Sequence, residues 1–154
     1  LYLDKEDGDS LNDIITFFGN KGEININTML STFDSSYEIS GSKNSELLRE
    51  YFSIIRKYNL QNLDLLEIFY NAQITDNQKR IDSVNERLEN LIKRKYLYSL
   101  NFSITNAQNE ISPYIAVSQI PDANKDLLRK VYDTLPENIK VSKYGKVLME
   151  LSLD

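Results

Sequence analysis

Ile81-Asp82-Ser83-Val84-Asn85-Glu86-Arg87-Leu88-Glu89-Asn90-Leu91 decides the fold class. Its apolar residues Ile81, Val84, Leu88 and Leu91 recur at three- and four-residue steps, and the positions between them are Asp, Ser, Asn, Glu and Arg. That period puts four apolar side chains on one stripe of a helix and the polar ones on its back. The pattern predicts a helix from about Asp76 to Ile104. Upstream, Ser45 is a candidate cap for a helix in which Leu47, Leu48, Tyr51, Ile54, Ile55 and Tyr58 form one stripe. A shorter helix is expected around Leu63–Ala72.

Downstream the punctuation improves. Ser112-Pro113 reads as a cap followed by proline at the first helical position, with Pro121 stopping that helix after Ile120. Asp122 or Asn124 caps the next, with Leu127, Leu128, Val131, Tyr132 and Leu135 inward and Pro136 ending it. Ser142 caps a third, with Tyr144, Val147, Leu148 and Leu151 inward. Short helices in this sequence order pack as antiparallel neighbours.

The first forty residues carry a different period. Ile14–Phe18 is a β-branched and aromatic run, Gly19-Asn20-Lys21-Gly22 supplies turn residues, and Glu23-Ile24-Asn25-Ile26-Asn27 alternates polar and apolar. These predict a hairpin with Ile24 and Ile26 on one face. Leu1–Leu3 and Tyr37–Ser40 are candidate further strands. The expected architecture is α+β and predominantly α: a small antiparallel sheet over residues 1–42, then about six helices over 43–154, packed as one compact unit. Leu1-Tyr2-Leu3 starts at strand-like residues with no turn before it, so the sheet is expected to rely on an upstream segment or on a second copy at its edge.

Composition narrows the chemistry. The chain has 154 residues, 41% apolar and 27% charged, enough for a domain burying roughly two-thirds of its unfolded surface. It contains no Cys, no His and no Trp. Without thiol or imidazole there is no cysteine nucleophile, no Ser-His-Asp arrangement and no ordinary zinc or copper ligand set. No cofactor is expected. The net charge of −5 opposes nucleic acid and anionic lipid at long range, and no apolar run is long enough to span a membrane. Of the two local basic groups, Lys93-Arg94-Lys95 and Lys140, Lys143 and Lys146, the first lies late in a predicted helix and reads as a solvated helical face.

The remaining motifs weaken on inspection. Asp4, Glu6, Asp7 and Asp9 surround Gly8, but placing Gly8 sixth in a calcium loop puts Leu3 and Lys5 at its first and third positions. Glu46 with Glu50, and Glu86 with Glu89, sit among Arg49, Arg87, Lys93 and Lys95 as a salt-bridged surface does, although two carboxylates alone satisfy a glycosidase. Gly145-Lys146 ends like a phosphate loop, yet the position five residues before Gly145 is Lys140 rather than glycine. Asn101-Phe102-Ser103 matches the glycosylation pattern inside a predicted helix. Ten tyrosines could line a peptide- or glycan-binding face, but Tyr51, Tyr58, Tyr132 and Tyr144 fall on apolar stripes, and packing explains them more simply.

Tyr96-Leu97-Tyr98-Ser99-Leu100-Asn101-Phe102, then Ser112-Pro113-Tyr114-Ile115-Ala116, then Leu128, Tyr132, Leu135 and Val141-Ser142-Lys143-Tyr144-Gly145-Lys146-Val147-Leu148, carry a resemblance. The chain resembles the N-terminal accessory region of exported thioredoxin-like proteins of Bacteroidetes, a β-rich domain of unknown function followed by a helical segment. In that family a Ser-x-Tyr-Gly-Lys motif closes the helical segment, so Ser142, Tyr144, Gly145 and Lys146 are the structural motif residues here. The Phe17–Ile26 hairpin and the Ile39-Ser40-Gly41-Ser42 junction are similar to the later part of the family's β-domain. The resemblance implies a periplasmic or cell-envelope location and a non-catalytic scaffold role. It also implies a thioredoxin-like domain as partner in the same parent chain, bearing the Cys-x-x-Cys. A free-standing peptide- or glycan-binding module is the rival reading, and a carboxylate-dependent hydrolase ranks third.

Overall fold

The computed structural model describes Leu1, residues 14–19 and residues 21–153. Among these residues the chain is predominantly helical, with a two-stranded antiparallel sheet followed by six helices. In order these are β1 (Asn25–Thr28), a 3-10 turn (Leu30–Thr32), β2 (Tyr37–Ser40), α1 (Lys43–Ile74), α2 (Gln78–Thr105), α3 (Ile111–Gln119), α4 (Lys125–Thr134), α5 (Glu137–Lys140) and α6 (Lys143–Leu151). It divides into two units, Leu1–Glu50 and Tyr51–Asp154.

In the first unit β1 and β2 pair with Ile26 opposite Ile39 and Thr28 opposite Tyr37. Alternation along β1 is as the sequence predicts: Ile26 is half-buried between exposed Asn25 and Asn27. The partner differs from the expected one. Residues 15–19 form no strand against β1, and Ile14 makes only an isolated bridge, with Ile15 and Leu1 exchanging two main-chain hydrogen bonds of 2.8 Å. The reason lies in where the backbone of Phe18 goes. Its N–H donates to Ser45 Oγ at 2.9 Å, and its carbonyl accepts from Ser45 Oγ at 3.3 Å. A segment whose backbone is held by serines is not free for a ladder. Of Leu1–Leu3, residues 2 and 3 lie outside the described residues.

Gly41 makes the turn from sheet to helix. Its φ is +84°, and a Cβ there would run into the Glu23 carbonyl, so both conformation and space require glycine. Ser42, not Ser45, is the cap of α1: its hydroxyl accepts from Ser45 N at 3.3 Å. Arg49 Nη1 reaches back to the Tyr37 carbonyl at 3.0 Å. The β-to-α change therefore falls at residue 42 as expected. The division into units comes later, after Glu50, because Ser42, Ser45 and Arg49 tie the first turns of α1 to residues 18 and 37.

The two helices expected over residues 45–72 are one. α1 runs 32 residues without interruption. No Gly or Pro stands between Gly41 and Pro113, so nothing in the sequence breaks it. Residues 75–77 reverse the chain, with Asp76 at positive φ and Asn77 Oδ1 capping Arg80 N at 3.1 Å. α1 and α2 pack through buried Leu65, Val84 and Leu91, with Tyr58, Ile68, Phe69 and Leu88 around them. The larger core joins Leu100 of α2 to Ala116, Leu128, Val131, Ile139 and Leu148 of the short helices.

Of the caps expected for α3 and α4, the first differs from expectation and the second is one of the two residues expected. Ser112 is the second residue of α3 rather than its cap, and its buried hydroxyl donates to the Ser103 carbonyl at 2.7 Å. Pro113 is then third, still among the N-terminal positions whose N–H has no intrahelical partner. Asn124, rather than Asp122, caps α4 through Asp126 N at 2.8 Å.

Candidate functional site

The motif residues 142–146 lie at the junction of α5 and α6. Ser142 has extended backbone, and its Oγ accepts from Gly145 N at 3.2 Å, which satisfies one of the unpaired donors of the first turn. Gly145 is buried, and a Cβ there would meet the Ile139 carbonyl oxygen and lie 2.5 Å from that of Lys140. The turn between α5 and α6 is thus folded onto the bare face of this glycine. Tyr144 is half-buried, edge-on to Tyr114 with ring centres 4.9 Å apart, and Lys143 Nζ lies 5.3 Å from the Tyr144 ring centre. Three of the four motif residues, Ser142, Tyr144 and Gly145, form one packed knot. The fourth, Lys146, is exposed. The arrangement positions α6, and the Gly145 N–H is already spent on Ser142 rather than left for a phosphate.

Tyrosine packing is equally structural. Tyr51 is fully buried, its hydroxyl 2.6 Å from Ser99 Oγ and its ring stacked on Tyr98 at 5.5 Å and tilted on Phe102 at 5.0 Å. Burial pushes the Tyr51 phenol up to about 12; the Ser99 hydrogen bond pulls the other way, and Tyr98 adds a little upward. Ser99 also donates to the Lys95 carbonyl at 3.1 Å, so both hydroxyls are satisfied. Tyr58 sits beside Tyr98, with the Arg94 guanidinium 5.7 Å from its ring centre.

One groove of about 290 Å³ opens on the flank of the α1–α2 pair. Leu65, Ile68 and Leu91 line its floor, and Asp64, Arg87 and Arg94 stand at its sides. It holds a single carboxylate, so it lacks the second acid of a glycosidase pair. Glu86 and Glu89 are exposed on α2, and among the described residues no group of three or more acids is placed to hold a metal ion. Asp4, Glu6, Asp7 and Asp9 lie outside the described residues. No described helix is long and apolar enough to cross a membrane.

Comparison with protein-family models, curated proteins and solved structures found no match to this chain.

What the sequence reading missed is on the back of α1. Splitting α1 into two helices hid the spacing of Leu60, Leu63, Tyr70 and Ile74, four large apolar residues all exposed. Their steps of three, seven and four residues are legible once residues 43–74 are read as one helix.

Proposed function

We propose that this chain is the non-catalytic accessory domain of an exported, periplasmic or cell-envelope, thioredoxin-like thiol-disulfide oxidoreductase, which positions the redox domain or its partners. The observation that carries the reading is the knot at residues 142–146. A serine cap, a tyrosine on an aromatic neighbour and a glycine with no room for a Cβ give each of these residue types a reason to recur where a helical segment closes. The absence of thiol and imidazole from the chain agrees with a scaffold role. The rival, a free-standing binding module for peptide or glycan, draws its support from the groove between α1 and α2.

The parent protein tests the reading. Deleting residues 1–154 should leave reduction of a small aromatic disulfide unchanged, because the Cys-x-x-Cys chemistry lies elsewhere in the chain. Reduction of a folded protein disulfide should slow several-fold, because the region that positions the partner is gone. Equal rates on both substrates, before and after deletion, would contradict it.

A further inference from the structure

The second half of α1 has two apolar faces. Leu65 (7% exposed) and Ala72 (1%) face inward, on the side packed against α2. Leu60 (54%), Leu63 (61%), Tyr70 (59%) and Ile74 (82%) share the opposite side. Numbering Leu60 as the first position of a heptad makes Leu63 its fourth and places Tyr70 and Ile74 on the same seam. A surface helix ordinarily keeps one apolar face, and a second, exposed at heptad spacing, marks an interaction surface.

The residue at the seam's centre is Glu67. It is exposed, and the positions three and four residues either side of it are Leu63, Asp64, Tyr70 and Asn71, none of them cationic. Asp64 stands beside it, on the edge of the seam. A helix covering this seam must bury or closely flank Glu67, and a carboxylate shut away from water without a cation opposes association. The partner must therefore bring a Lys or Arg.

A second copy of this chain does so poorly. In parallel register it sets Glu67 against Glu67; in antiparallel registers that cover the whole seam it sets Glu67 against Leu63 or Tyr70. One shifted antiparallel register offers Arg56, but Arg56 already has a partner within the chain, and the shift leaves Tyr70 and Ile74 against Ser53 and Arg49.

We infer that the outer seam of α1, Leu60 to Ile74, docks an amphipathic helix of another protein that carries leucine-like residues at heptad spacing and a basic residue opposite Glu67 and Asp64. Apolar anchors supply the binding and the charge pair sets partner and register. This inference stands independently of the accessory-domain reading, since it needs only the helix surface.

Two fluorescent synthetic peptides of about three heptads test it, each with leucine at the seam positions and either lysine or glutamate at the central and flanking positions. Fluorescence anisotropy with the whole chain should show the lysine peptide binding at least roughly tenfold more tightly than the glutamate peptide. Glu67→Lys should reverse that preference, and Tyr70→Asp should abolish binding of both peptides. Circular dichroism should be unchanged in both variants, because the two sites are exposed. Equal affinity for the two peptides, no binding of either, or a preference indifferent to Glu67→Lys would overturn it. Sedimentation showing a dimer that Tyr70→Asp dissolves would overturn it in favour of a second copy.

Discussion

Tyr51→Ala should lower the unfolding free energy by roughly 3–5 kcal/mol, the range for removing a large aromatic side chain from a core. Tyr51 is wholly buried and contacts Phe52, Tyr98 and Phe102. Truncation removes those contacts, opens a cavity between α1 and α2, and leaves Ser99 with one hydrogen bond fewer. Urea unfolding should show a lower midpoint with an unchanged slope. The milder Tyr51→Phe keeps the ring, loses only the hydroxyl, and should cost about 1 kcal/mol at neutral pH. It also isolates a pH effect. The native phenol is pushed up to about 12, against about 10 in the unfolded chain, so between those values the native state holds the proton more tightly. The stability this contributes is complete below pH about 10 and is lost as pH rises towards about 12. The gap between wild type and Tyr51→Phe should accordingly narrow across that window. A gap that widens with pH would reverse the sign and contradict the burial of this phenol.

Gly145→Ala should destabilise by about 3 kcal/mol, at the upper end of ordinary overpacking. Alanine is normally the better helix former by about 1 kcal/mol, so a plain exposed helix position would change in the opposite direction. Here the added methyl meets the backbone oxygens of Ile139 and Lys140, which belong to α5 and cannot swing aside as a side chain would. Relief requires α5 and the α5–α6 turn to move together. Thermal unfolding of the purified variant measures this directly. A melting temperature equal to or above that of the wild type would show that the close approach of α5 and α6 is not as described.

The fold class was legible because its strongest signal is local. The stripe Ile81 to Leu91, the caps Asn124 and Ser142, and the prolines at 121 and 136 all act within a few residues of themselves, so pattern and structure agree on α2, α4 and α6. Strand pairing was not legible to the same depth. Which partner Ile24–Asn27 takes depends on Ser45, eighteen residues or more away, claiming the backbone of Phe18. The length of α1 was not legible for a related reason: between the Leu47–Tyr58 stripe and Leu63 stand the polar residues Asn59, Gln61 and Asn62, which interrupt the apolar pattern without breaking the helix. At the candidate site, Ser142 and Gly145 were visible as residue types, whereas the carbonyls that make Gly145 obligatory come from α5, which no local pattern announced.

We propose that this thiol-free chain belongs with a thioredoxin-like domain. The most direct measurement is thiol titration of the intact gene product, followed by mass mapping of the disulfide formed on oxidation. The chain of residues 1–154 contributes no thiol. On that proposal the gene product carries two reactive thiols per molecule, separated by two residues and located after Asp154, which close to a single disulfide. A gene product with no Cys-x-x-Cys pair beyond that point would contradict it.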